Sequence, residues 1–400
     1  MEKQKRKFPH TYVIIFSLIA ISAVLTWLVP GGTFERETVV VNGFARSVVV
    51  AESYHAVPRA GQSWQVFTSL FEGMLRTSDI IFYILTIGGA FWMLNESRAL
   101  DVAIALFLRL SKRVEGVRAI RWLGVDNIIV TLIMLCFSFF GAVIGMSEET
   151  IAFVVIFVPM AVRMGYDSIV GISMCFLAAG LGFAGALLNP FTIGIAQGLA
   201  GVQLFSGLEY RLLVWAVINA IGIGYVLRYM SRLRREPRCS PVYEEDAAWR
   251  ARVEEVDRVE VKRSGRGAWL AYLSVLASLA LSAVVYPSTT MQVGQGEFPL
   301  PALPILAFAW AVFGLLALRH SVQLLNVTLL LFTIVQLVVG VMGYGWYIKE
   351  IASLFLAMGL LSAVAYGKRP NDIVKLFLSG ASDILSAALV VGFASGIVVV

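Results

Sequence analysis

The run SIVGISMCFLAAGLGFAGALLNPFTIGIAQGLAGVQLFSGL, residues 168–208, contains no Asp, Glu, Lys, Arg or His. Its 41 residues would make a helix about 60 Å long at roughly 1.5 Å per residue. That is about twice the ~30 Å hydrocarbon core of a bilayer. The run therefore has to break inside a membrane. Asn189-Pro190 marks the place, preceded by Gly180, Gly182 and Gly185, because proline removes a helix hydrogen bond and clashes with the turn before it. The reading predicts a discontinuous helix over 169–188, an unwound middle, and a second piece over 191–204.

The segment upstream is unusual in another way. Residues 128–145 are apolar, Met146-Ser147-Glu148-Glu149-Thr150 follows, and a second apolar arm over 151–162 ends at Arg163. The second arm is about 18 Å long as helix, too short for a comfortable crossing. A re-entrant hairpin with its tip at membrane depth fits better than two full spans.

Composition agrees. The 400 residues are 58% hydrophobic and only 14% charged, against about 25% charged in soluble domains. A mean hydropathy of +0.81 excludes a soluble enzyme and a disordered or fibrous chain. The net charge of +6 marks cytoplasmic loops, not nucleic-acid binding. Cys136, Cys175 and Cys239 give no disulfide framework, and His10, His55 and His320 stand apart, so no metal site or cofactor is expected.

Further spans are expected at 12–29, 80–94, 212–230, 269–285, 303–318, 322–341 and 351–365, with a last apolar helix from about Ile384. Four basic residues ahead of the first span place the N-terminus inside; that span is too long for a signal peptide. Residues 33–62 are polar and mixed, and 61–76 read as an amphipathic helix at the outer interface. Residues 100–110 are expected as a short helix by the inner interface. Residues 371–379 are a short amphipathic piece. Residues 231–267 carry 10 basic and 8 acidic side chains and read as a solvated cytoplasmic linker. It divides a first membrane repeat, 1–230, from a second, incomplete one, 268–400.

Thr77-Ser78-Asp79-Ile80 matches Ala381-Ser382-Asp383-Ile384, and Gly88 and Gly392 share the same offset. Counted from a cytoplasmic N-terminus, the two helices so opened run in opposite directions, the mark of an inverted-topology repeat. Ser-Asp used twice as a helix N-cap would produce the same short match. The fold class read from these features is an all-α polytopic membrane protein with an inverted-topology repeat, a re-entrant hairpin and a discontinuous helix, its second repeat incomplete.

In carriers of this plan, broken helices near the midplane hold ion and substrate. Two places qualify. At the hairpin tip, Ser147, Glu148, Glu149 and Thr150 put two carboxylates between apolar arms, which is costly unless a cation, a donor or water meets them. Ser147 or Thr150 could cap the second arm, with the glutamates in its first turn. At the break, Pro190 frees carbonyls while Asn189 and Thr192 add neutral side-chain oxygens, the donors that Na⁺ prefers. Gln197 stands in the second half-helix. The three glycines serve either the break or close helix packing. No HExxH, phosphate loop or Ser–His pair supports an enzyme.

Phe8-Pro9-His10-Thr11-Tyr12, Gly145-Met146-Ser147-Glu148-Glu149-Thr150-Ile151-Ala152-Phe153 and residues 188–197 resemble the YfcC family of bacterial inner-membrane carriers. That family is related to the anaerobic C4-dicarboxylate carriers of the ion-transporter superfamily. The resemblance implies a secondary transporter of elevator type. Its solute would be a basic amino acid in arginine/ornithine exchange or a dicarboxylate, coupled to Na⁺, H⁺ or exchange, and the carrier would often be a homodimer. Members of the family continue past the helix after the second Ser-Asp. The expectation is a chain without its second hairpin and second broken helix, unable to transport alone. A channel or a non-transporting scaffold is the reading from another class.

Overall fold

The computed structural model describes residues 9–41, 44–50, 52–99, 102, 124–143, 145–146, 150–189, 192–193, 196–197, 206–255, 262–293 and 296–400. Among these residues ten helices are long and apolar enough to cross a membrane. They are α1 (Thr11–Leu28), α3 (Ser78–Asn95), α4 (Val125–Val143), α6 (Ser168–Gly185), α7 (Leu208–Arg235), α9 (Arg266–Val285), α10 (Ala302–His320), α11 (Val322–Tyr344), α12 (Ile348–Tyr366) and α13 (Pro370–Val399). Shorter helices are α2 (Gln65–Arg76), α5 (Ile151–Arg163) and α8 (Ala247–Glu255). The chain is a multi-pass membrane protein. The expected short helix at 100–110 lies outside the described residues.

The outward surface follows from that solvent. In α1 only Ile15, Ile19 and Ala23 are buried, a stripe at i, i+4 and i+8. Val13, Phe16, Val24 and Trp27 face outward. In α2 the polarity is inverted: Ser69 and Gly73 are buried while Phe67, Phe71 and Leu75, and Trp64 just ahead of the helix, are exposed. Water would impose the opposite arrangement; a lipid interface favours this one.

The fold is not wholly helical. Residues 31–57, which overlap the stretch read only as polar and mixed, carry β1 (Gly31–Thr33), β2 (Arg36–Val41), β3 (Phe44–Val49) and β4 (His55–Val57). They pair antiparallel as β1–β4 and β2–β3. A third hairpin, β5 (Thr289–Val293) with β6 (Gly296–Leu300), joins α9 to α10. Asn42-Gly43 between β2 and β3 is a strong hairpin signal that the hydropathy reading passed over.

Two compact units emerge, residues 1–89 with 377–400, and residues 90–376. In the first, α13 packs against α2 and α3. A Cβ on Gly73 would meet Gly392 and Gly396, one on Gly88 would meet Gly380 and Ile384, and one on Gly89 would meet Phe377. Partner numbers fall as residue numbers rise, so the helices run antiparallel. Conversely, Gly392 faces Met74 and Ile81. Tyr12 of α1 donates its hydroxyl to Ser386 O at 2.8 Å.

One boundary is corrected here. No new helix starts at Ile384; α13 is continuous from Pro370 to Val399. Gly380 serves close approach to α3 and does not break the helix. Ser382-Asp383 therefore lies inside a helix and is no N-cap, whereas Asp79 sits in the first turn of α3 and accepts the Ile80 N–H at 2.9 Å.

In the second unit, α4 packs closely on α6. A Cβ on Gly182 would fall 1.9 Å from Ser138 O, and one on Gly141 2.3 Å from Ala179 O, so two backbones meet where any side chain would separate them. Gly180 faces open space. Trp215 of α7 donates from Nε1 to Ser138 Oγ at 3.0 Å. Elsewhere in the unit, Asn326 of α11 donates to Ser97 Oγ at 3.0 Å and to Ser362 O at 3.2 Å.

The linker is not simply solvated. Asp167 Oδ1 caps α6 by accepting Val170 N–H at 3.0 Å, and its Oδ2 accepts the hydroxyls of Ser240 at 2.7 Å and of Tyr229. Asp246, 3% exposed, accepts the Ser168 N–H at 2.7 Å. Nearer the surface, Asp126 takes Arg234 at 3.0 Å and the Tyr166 hydroxyl at 3.1 Å. Burial pushes the Tyr166 phenol above its ordinary pKa, the Arg234 guanidinium opposing the rise and the Asp126 carboxylate adding to it.

Candidate functional site

The break in α6 comes three residues earlier than the proline implies. The helix stops at Gly185, and Ala186 takes a left-handed conformation with φ 42°, unusual for a residue with a Cβ. Its N–H still bonds Gly182 O at 2.9 Å. Leu187 then drops into a small apolar cluster with Ala142 and Val143, against Leu188 and Trp215. Helical geometry returns at Thr192-Ile193 and Ala196-Gln197. Pro190 and most of the second piece lie outside the described residues.

Asn189 is fully buried. Its Nδ2 donates to Gly141 O at 3.0 Å, and its Oδ1 accepts Thr192 N–H at 3.3 Å. Leu188 N–H bonds Ala142 O at 2.9 Å. The break is thus tied to the C-terminal end of α4, the first arm of the expected hairpin. Gln197, also buried, donates from Nε2 to Ser206 O at 3.0 Å and to Ser206 Oγ at 3.3 Å. Thr192 Oγ1 is buried with no hydrogen-bond partner among the described residues, which leaves it able to take a ligand group.

The structure brings Asn189 and Thr192 to the end of α4, while Gln197 bonds Ser206, just ahead of α7. It adds a residue absent from the sequence reading. Arg211, in the first turn of α7, donates from Nε at 3.2 Å and Nη2 at 3.0 Å to Leu187 O, and from Nη1 to Ser206 O. The signal was present: Arg211 is among the first charged residues after the uncharged run, within an apolar helix, where ionisable residues are rare. Counting the span from Leu212 left it just outside.

The hairpin tip is less fully visible, since Ser147, Glu148 and Glu149 lie outside the described residues. Gly145 has φ 81° and donates to Phe140 O at 3.1 Å, closing α4. Thr150 is fully buried ahead of α5, but its side chain does not cap that helix; Ser147, the other expected cap, lies outside the described residues. The Thr150 backbone is already helical, with φ −63°, whereas an N-cap normally takes an extended conformation. Among the described residues no group of three or more His, Cys, Asp or Glu side chains could hold a metal ion.

The site is an apolar helix bundle with a discontinuous helix pinned to its neighbours by the buried Asn189 amide and the partly exposed Arg211 guanidinium. The model of the C4-dicarboxylate anaerobic carrier family matches residues 8–400. The chain belongs to this family. It is 29% identical to the "Putative basic amino acid antiporter YfcC" of Escherichia coli (strain K12), over 97% of this chain and 69% of that protein. An uncharacterised protein of Haemophilus influenzae is 22% identical, over 99% of this chain and 74% of that one. No solved structure matches the chain. The family hit and these relatives support a YfcC-like membrane transporter.

Proposed function

We propose that this protein is the membrane body of a secondary carrier in the bacterial inner membrane, exchanging small charged organic solutes. Basic amino acids of the arginine and ornithine type come first, in line with the name of the Escherichia coli relative. C4-dicarboxylates are the second reading, favoured by the family to which the chain belongs. The observation that carries the proposal is the break after Gly185, where Asn189 and Thr192 meet beside the end of α4. Discontinuous helices of this kind build carrier sites.

The same reading makes Ser147, Glu148, Glu149 and Thr150 the facing half of the site, with the carboxylates meeting a cationic solute. It makes α3 and the stretch of α13 that begins at Ser382-Asp383 corresponding elements of two inverted repeats, a relation supported by their antiparallel packing and reciprocal glycine contacts. The N-terminus is cytoplasmic. The test is uptake by the full-length protein in proteoliposomes, with labelled arginine competed by ornithine and by succinate. Competition by ornithine alone supports the first solute class, and competition by succinate alone supports the second. Flux that neither competes nor saturates favours a channel.

A further inference from the structure

A helix break in a carrier frees carbonyl oxygens that a coupling Na⁺ could use. Here one of them, Leu187 O, already holds a cation, together with Ser206 O ahead of α7. Leu187 O accepts two N–H groups from the Arg211 guanidinium, and Ser206 O accepts one from Arg211 and one from Gln197. A backbone carbonyl has two lone pairs, so both acceptors are filled. Gly141 O and Ala142 O are taken by Asn189 Nδ2 and Leu188 N–H. A Na⁺ ion at the Leu187 and Ser206 carbonyls would have to displace the guanidinium and break its charge-assisted hydrogen bonds. Arg211 is also well suited to the place: it stays protonated at any working pH and its fork reaches two acceptors at once.

We propose that Arg211 is the built-in cation of this helix break, a positioning residue that holds Leu187 and Ser206 as a bound Na⁺ would, so that these two carbonyls take no Na⁺. The proposal rests on the carrier reading for its functional meaning, though not for its structural content. Charge-assisted hydrogen bonds are the stronger kind, and losing a set of them would loosen the break in both folding and exchange.

The experiment uses the full-length protein with Arg211→Ala and Arg211→Lys, in detergent and in proteoliposomes. Arg211→Ala is expected to lower the unfolding temperature by a few degrees and exchange by at least about tenfold. Millimolar guanidinium chloride is expected to restore part of both, and choline chloride to restore neither. Arg211→Lys, a charge without the fork, should fall between. Replacing Na⁺ by choline should shift wild type and Arg211→Lys no differently. The idea is overturned by an Arg211→Ala protein with wild-type stability and exchange. It is equally overturned by losses that guanidinium does not repair, or by a Na⁺ stabilisation of wild type that Arg211→Ala abolishes. If wild type exchanges nothing, the carrier reading fails instead, and the unfolding temperatures still decide the role of Arg211.

Discussion

Asp246 accepts the backbone N–H of Ser168, the first residue of α6, at 2.7 Å. The carboxylate comes from the linker, 78 residues on, and it is buried. It satisfies one of the amide groups that a helix start leaves open and places negative charge at the positive end of the helix dipole. Asp246→Ala should cost about 1 kcal/mol, and Asp246→Asn less, because an amide oxygen still accepts. Thermal unfolding in detergent checks the order. Faster proteolysis of the linker in Asp246→Ala should accompany the loss.

Two other aspartates at this end should differ in weight. Asp126 pairs with Arg234 while the two side chains remain 37% and 52% exposed, so Asp126→Ala should cost less than about 1 kcal/mol. Asp167 is buried and accepts from Val170 N–H, Ser240 and Tyr229. Asp167→Ala should cost roughly 3 kcal/mol. The unfolding temperatures of the two variants compare them directly, and equal shifts would contradict the assignment.

Gly180 and Gly182 should respond with opposite signs to the same change. Gly182→Ala places a Cβ against Ser138 O and should destabilise by roughly 1–3 kcal/mol. Gly180→Ala meets nothing and should stabilise the helix by about 0.5–1 kcal/mol. Melting curves of both variants test this.

Ser138→Ala removes the acceptor for the Trp215 indole N–H. A donor left without a partner costs about 1–3 kcal/mol. The change should appear in the unfolding temperature and as altered tryptophan emission.

In the full-length protein, Asn189→Ala and Glu148→Gln should each reduce uptake while membrane insertion stays intact. Asn189→Ala loses the bond to Gly141 O and the acceptor for Thr192 N–H, worth about tenfold in rate if both are needed. Wild-type kinetics in both variants would remove these positions from the site.

Much of the fold was legible because a long apolar run has few solutions. The expected spans at 12–29, 80–94 and 322–341 differ from α1, α3 and α11 by only a few residues. The hairpins at 31–57 were not, because hydropathy averages hide alternation and Asn42-Gly43 is a two-residue signal. At the break, Pro190 announces only where a helix cannot continue. The chain leaves the helix at Ala186, where Leu187 gains an apolar pocket and its carbonyl gains Arg211. The capping of α6 by Asp246 and the grip of Arg211 on Leu187 join residues far apart in the chain. No local pattern encodes such pairings; they exist only once the helices pack.

The measurement closest to the central claim is counterflow. Full-length protein in proteoliposomes preloaded with unlabelled arginine or ornithine should accumulate external labelled arginine transiently above its equilibrium level, and the initial rate should saturate. Flux that rises linearly with concentration and ignores the internal solute, or no flux with either a basic amino acid or a C4-dicarboxylate inside, would contradict a carrier.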